Sequence, residues 1–181
     1  AYRCAASSGA RGLLGAAFGM APSDGNYAEY CEEFLSNYEQ RLLMLTSLFA
    51  GTTELLRSLA QRGMPWGIVT NKAARFTEPI VRGLADLQPA MVVISGDTLA
   101  HAKPHPAPLL EAARRLAIEP ARCLYVGDDL RDMQAARAAG MAGMAALWGY
   151  MGDAPVNDWG ADALAHQPCD VLAWVEQRVG V

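Results

Sequence analysis

Ten consecutive residues, Leu124-Tyr125-Val126-Gly127-Asp128-Asp129-Leu130-Arg131-Asp132-Met133, run from an apolar stretch through a glycine into three carboxylates. Such an apolar run suits a strand buried on both faces, Gly127 permits a tight exit, and Leu130 to Ala139 reads as an alanine-rich helix. Asp128 and Asp129 then stand at the carboxyl end of a strand, where open α/β sheets bind their ligands. Asp132 lies one helical turn further on, on the side of Asp129. Three crowded carboxylates repel one another unless a cation offsets them, and hard oxygen donors that leave room for water suit magnesium. The competing reading is that Asp129 caps the helix and the others are solvated. For Asp128 the metal role is favoured, because the strand end aims it into the crevice.

Two other segments carry complementary chemistry. Thr70 and Asn71 close the apolar run Trp66-Gly67-Ile68-Val69, and Ala102-Lys103-Pro104-His105-Pro106 holds a lysine in a stretch stiffened by two prolines. A hydroxyl, a backbone amide and a lysine facing an acidic metal site are what a phosphoryl group needs: donors for its oxygens, positive charge and a bound cation. Each taken alone has a plainer reading, Thr70 as a strand-end hydroxyl satisfying backbone and Lys103 as a surface lysine. His101 and His105 are four apart, but the proline between them argues against a zinc-binding helix.

The elements that must position these residues follow from periodicity and breakers. After the small-residue turn Ser7-Ser8-Gly9-Ala10, residues Arg11 to Phe18 read as a short helix. Tyr27, Tyr30, Cys31, Phe34, Tyr38, Leu42 and Leu45 then recur at helical spacing, a stripe expected in the core. Around Ser47 to Ala50 the pattern changes to alternating short strands and helices. Thr52 is placed as a helix cap and Gly63 as a left-handed stop. Asn71 to Leu84 is expected as two helical pieces, since Pro79 disrupts a helix interior. Further elements are a strand over Met91 to Ile94 and a helix over Pro106 to Ala117 with Leu109, Leu110, Ala113 and Leu116 inward. An apolar run Met144-Ala145-Ala146-Leu147 and a closing helix around Leu172, Val175 and Val179 complete the chain. This alternation calls for a doubly wound parallel sheet with helices on both faces and right-handed crossovers.

With 181 residues the chain can bury a sizeable core, and its net charge of −4 offers no electrostatic footprint for nucleic acid. No apolar run is long enough to span a bilayer. Cys4, Cys31, Cys123 and Cys169 are scattered with no Cys-x-x-Cys pair, which suits reduced, partly buried thiols and a cytoplasmic location. No leader is visible and no methionine starts the chain, a hint of missing upstream sequence. Oligomeric state is not legible.

In order, Ile68-Val69-Thr70-Asn71-Lys72, then Ser95-Gly96-Asp97-Thr98 with Lys103-Pro104-His105-Pro106, then Val126-Gly127-Asp128-Asp129-Leu130-Arg131-Asp132, resemble motifs two, three and four of the haloacid dehalogenase superfamily of phosphatases. Within it the likeness is to bacterial phosphoglycolate phosphatases. Ser8-Gly9-Ala10-Arg11-Gly12 resembles part of the helical cap, and Trp148-Gly149-Tyr150 with Trp159-Gly160-Ala161-Asp162 resembles the tail. The resemblance implies a magnesium-dependent phosphomonoester hydrolase acting on a small phosphorylated metabolite. Thr70 and Asn71 would bind the phosphoryl oxygens, Lys103 would neutralise them, Asp128 would ligate magnesium, and Asp129 and Asp132 would complete the acidic site. Arg11 is the candidate for a substrate carboxylate. Residues 1–46 would be a partial helical cap and 47–181 the α/β core.

One motif departs from the pattern. The family's nucleophile and general acid form an Asp-x-Asp on a first, central strand upstream of the cap, and no Asp-x-Asp follows an apolar run in this sequence. Asp97 follows a strand but occupies a motif-three loop position. The expectation is therefore a chain beginning inside its cap, without turnover, and with two ladders unpaired where the central strand would lie. N-acetylmuramic acid 6-phosphate or another sugar phosphate is the alternative substrate. A non-catalytic binding module of the same fold is the alternative of another class. A signalling receiver domain is disfavoured, because its acidic pair should precede the threonine and lysine.

Overall fold

The computed structural model describes residue 2, residues 4–151 and residues 154–179, with the side chains of Cys4, Ser7 and Val179 outside the described set. Helix α1 (Gly9–Phe18) and helix α2 (Tyr27–Gln40) pack on each other. The α/β unit then runs α3 (Thr52–Gln61), β1 (Gly67–Val69), α4 (Ala74–Gly83), β2 (Val92–Ile94), α5 (Ala107–Leu116), β3 (Leu124–Gly127) and α6 (Leu130–Ala139). It closes with β4 (Ala142–Ala146), β5 (Ala163–Ala165) and α7 (Pro168–Val179).

Every strand pairing is parallel, as the alternation requires, but the strands divide between two sheets, β1-β2 and β3-β4-β5. On β1, Thr70 N–H donates to the Ile94 carbonyl at 2.9 Å and Met91 N–H donates to the Trp66 carbonyl at 3.0 Å. Even-numbered positions therefore face β2, and the Val69 carbonyl points the opposite way, toward β3. No ladder joins β1 to β3 among the described residues. Helices hold the two sheets together instead. Helix α5 packs on β1, β2 and α6, and α6 packs on β3 and β4. Buried Leu109, Ala113, Ala135 and Ala136 form one core with Val69 from the first sheet and Tyr125 from the second. On the other face, Leu55 of α3 and Val171 and Trp174 of α7 cover Met144 and Ala165.

Several local expectations are corrected. Helix α2 ends at Gln40 and has no fully buried residue; Tyr27, Cys31, Phe34 and Tyr38 are half-buried, and Tyr30 and Leu45 are exposed. Of the stripe only Leu42, beyond the helix, reaches the core. Thr52 is not a cap: Gly51, at φ +84°, precedes the helix in a conformation that glycine adopts without steric cost. Residues Ala74–Gly83 form one helix with Pro79 inside it, and Leu110 faces solvent. Strand β5 was not expected, and Cys169 is exposed where Cys31 and Cys123 are half-buried. Among the described residues no helix is long and apolar enough to cross a membrane.

Candidate active site

Strand β3 and helix α6 meet at Asp128 and Asp129. Asp129 is the N-cap of α6: its carboxylate accepts the Arg131 N–H at 2.9 Å, while the Asp132 carboxylate reaches back to the Asp129 N–H at 3.1 Å, a reciprocal capping box. The Arg131 guanidinium grips the same carboxylate with both oxygens engaged, at 2.8 and 2.9 Å. Asp132 is 5 % exposed; one oxygen accepts the Asp128 and Asp129 N–H groups, and the other takes the Lys103 ammonium at 2.7 Å. A Cβ at Gly127 would overlap the Asp132 side chain, so glycine is what lets this carboxylate fold back under the strand end. Asp128 is half-buried, and one of its oxygens accepts the Tyr150 N–H at 2.7 Å. Gly149 fits against it for the same reason, since a Cβ there would overlap the Asp128 carboxylate.

Lys103 draws three segments to one point. Its Nζ donates to Asp132 at 2.7 Å, to the Tyr125 hydroxyl at 2.7 Å and to the Val69 carbonyl at 3.2 Å. An ammonium has three hydrogens, so all are in use, and a phosphate oxygen would gain one by exchange, the long Val69 bond being the weakest. The Asn71 side-chain amide clasps the Lys103 backbone, accepting its N–H and donating to its carbonyl at 2.9 Å each. Thr70 Oγ1 accepts the Lys72 N–H at 3.1 Å, and its own hydrogen has no acceptor among the described residues. Residues 69–71, Lys103 and the stretch 125–132 thus converge from three separate parts of the chain.

The carboxylates expected to hold magnesium each have partners within the protein. A magnesium ion asks for several oxygen donors around one point. Here Asp129 serves as a cap and arginine partner and Asp132 as the counter-ion of Lys103, which leaves Asp128. Among the described residues no group of three or more His, Cys, Asp or Glu is arranged to hold a metal ion. Two of the three carboxylates are thus paired with protein cations, while the partner of Asp128 is a backbone amide.

Arg11 is exposed on α1, and its charge opposes the upward shift that burial and Cys31 give the Tyr27 phenol at the start of α2. The end of α2 that touches the α/β unit carries Tyr38, which is roughly 16 Å further along the helix at 1.5 Å per residue. Asp97 is engaged too, its carboxylate accepting the Ala74 N–H at the start of α4 at 2.8 Å.

Tyr125 is a site residue that pattern reading missed, since an aromatic inside an apolar strand looks like core. Its hydroxyl donates to the Val69 carbonyl at 2.9 Å while accepting from Lys103. Burial, followed by the charges of Asp132 and Asp128, pushes the phenol well above its ordinary value of 10.0. The folded state therefore holds the proton that an unfolded tyrosine releases from about pH 10 upward. The stability is fully present below that value and lost as pH rises toward the raised one. Tyr125→Phe is expected to flatten the alkaline limb of urea midpoints taken between about pH 9 and about pH 11; limbs of equal slope in both proteins would count against this proton.

The model of the haloacid dehalogenase-like hydrolase family matches residues 16–146. The chain belongs to that family. A phosphoglycolate phosphatase of Xanthomonas campestris pv. campestris is 47% identical over 163 residues, 90% of this chain and 73% of that protein. An N-acetylmuramic acid 6-phosphate phosphatase of Pseudomonas aeruginosa is 38% identical over 168 residues, 92% of this chain and 74% of that protein. In fold, the crystal structure of a predicted phosphoglycolate phosphatase from Haemophilus somnus superposes with a TM-score of 0.81 at 24% identity, covering 93% of this chain and 75% of that one. The haloacid dehalogenase-like match spans all three segments that converge on Lys103.

Proposed function

We propose that the chain is a phosphomonoester hydrolase of the phosphoglycolate phosphatase type, with Thr70, Asn71 and Lys103 holding the phosphoryl group. The observation that carries the reading is the Lys103 junction, where a buried ammonium meets the Val69 carbonyl one residue before a strand-end hydroxyl with an uncommitted hydrogen. Thr70 donates to one phosphoryl oxygen, Asn71 fixes the lysine backbone, and Lys103 offsets charge by giving up its bond to the Val69 carbonyl. Asp132 and Tyr125 keep the ammonium in place during that exchange. Residues 1–46 act as a helical cap over the core at 47–181. Magnesium belongs to the proposal through Asp128 alone, and no step is routed through it. The attacking carboxylate is not among the residues described.

The relatives favour a phosphate ester that also carries a carboxylate. Phosphoglycolate has one, and N-acetylmuramic acid 6-phosphate, the second substrate to consider, has one as well. Titration calorimetry of residues 1–181 with 2-phosphoglycolate, with and without magnesium, tests the phosphate site. Thr70→Val removes a donor to a charged oxygen and should weaken binding about tenfold or more. Unchanged affinity would remove Thr70 from the site and with it the reading.

A further inference from the structure

The chain has only two lysines, Lys72 and Lys103, and both stand at the strand-end loops around Thr70. Lys103 is paired with a buried carboxylate. Lys72 has no carboxylate partner among the described residues: its ammonium donates to the Tyr38 hydroxyl at 2.8 Å and lies 4.6 Å from the centre of the Tyr38 ring and 6.0 Å from that of Phe76. The nearby carboxylates of α2 face a different cation, Arg75, at 3.5 Å from Glu32 and 3.9 Å from Glu39. Lys72 is half-buried, so its charge has lost part of its water and has gained only a phenol and two ring faces in return.

Its backbone is fixed. The Lys72 N–H donates to Thr70 Oγ1 at 3.1 Å, and its carbonyl accepts the Gly96 N–H at 2.8 Å and the Thr77 hydroxyl at 3.1 Å. The side chain rises from this anchored loop to Tyr38, one of the residues through which α2 meets the α/β unit, with Tyr38 and Phe76 packed edge to face at 5.4 Å. An underneutralised cation is thereby held between the two helical and α/β parts, on a stem rooted beside the hydroxyl that would hold the phosphoryl group.

We propose that Lys72 is a specificity-determining residue that takes the substrate's carboxylate, with Tyr38 presenting the ammonium from α2. The inference rests on the phosphate-site reading given above and deepens it. In 2-phosphoglycolate one oxygen and one methylene separate the phosphorus from the carboxylate carbon, a span suited to two anchors on neighbouring residues of one loop. The carboxylate supplies the charge-assisted partner that Lys72 lacks, while the phenol remains as its second acceptor.

The test compares 2-phosphoglycolate with ethyl phosphate, which has a methyl group in place of the carboxylate, by titration calorimetry of residues 1–181. The native chain is expected to prefer 2-phosphoglycolate about tenfold or more, the worth of one hydrogen bond to a charged group. Lys72→Gln keeps a donor for the Tyr38 hydroxyl but loses the charge, and the ratio of the two affinities should collapse toward one. Lys72→Arg keeps the charge and should retain most of the ratio. Far-ultraviolet circular dichroism and thermal midpoints establish that both variants fold, and the Gln and Arg variants are compared with each other as well as with the native chain. Binding of both ligands without preference by the native chain overturns the assignment and leaves the phosphate site standing. A preference that survives Lys72→Gln, or that is lost equally in Lys72→Arg, also overturns it. Failure of the native chain to bind either ligand overturns the phosphate-site reading itself, and this one with it. A ratio that collapses in Arg11→Ala and not in Lys72→Gln assigns the carboxylate to α1 instead.

Discussion

Lys103→Met is expected to destabilise the chain by about 3 kcal/mol or more, because it leaves the Asp132 carboxylate buried without its cation. The two side chains are 10% and 7% exposed and 2.7 Å apart, so solvent cannot replace the lost partner. Asp132 keeps two backbone N–H donors, which holds the loss toward the lower end of the range for a broken buried pair. Adding Asp132→Asn to Lys103→Met removes the stranded charge while preserving an acceptor for those amides. The double variant should therefore be more stable than Lys103→Met alone. Urea unfolding followed by tryptophan fluorescence measures both. Strictly additive losses would mean that the pair contributes nothing as a pair.

Residues 1–181 on their own should release no phosphate from p-nitrophenyl phosphate above background, with or without magnesium. Three of the carboxylates at the strand ends are already engaged within the protein. Asp97 accepts from the Ala74 N–H, Asp129 caps α6 and grips Arg131, and Asp132 is tied to Lys103. On the proposed reading these residues position a phosphate, while the attack and the leaving-group proton call for an Asp-x-Asp pair, which this sequence does not contain. Binding of 2-phosphoglycolate without turnover is the expected pairing of results. Comparable turnover by a chain extended upstream and by residues 1–181 would place the nucleophile within the latter, and Asp128 would be the first residue to substitute.

Much of the site was legible because chain order carries it. The change from a strand period to a helix period at Gly127 marks where Asp128 must stand, and the strand ending at Thr70 could be read in the same way. Partnerships were not legible. Lys103 and Asp132 are 29 positions apart, and nothing in local spacing says that this lysine neutralises that carboxylate. The capping role of Asp129 was visible in the sequence, since Asp at an N-cap is common and Arg131 sits two residues on. Tyr125 reads as core until its hydroxyl is seen bridging Val69 and Lys103. Strand β5 escaped because its three residues, Ala163–Ala165, carry no β-branched or aromatic signal. The tyrosine stripe of α2 promised a core that one neighbouring helix cannot supply, which is why half-buried side chains remain on it.

Backbone ladders hold each sheet internally, yet where β1 looks toward β3 the Val69 carbonyl is met by a phenol and an ammonium. A ladder spreads its strength over many equivalent bonds, whereas this junction concentrates it in one lysine with three commitments. On the proposed reading, a ligand that draws Lys103 from the Val69 carbonyl loosens the polar seam between β1-β2 and β3-β4-β5, leaving the Tyr125 hydroxyl bond, α5 and α6 to hold the halves. The proposed recognition would then share one nitrogen atom with part of the mechanical coupling, and the two sheets become candidates for separate cooperative units of opening, each with its own free-energy cost.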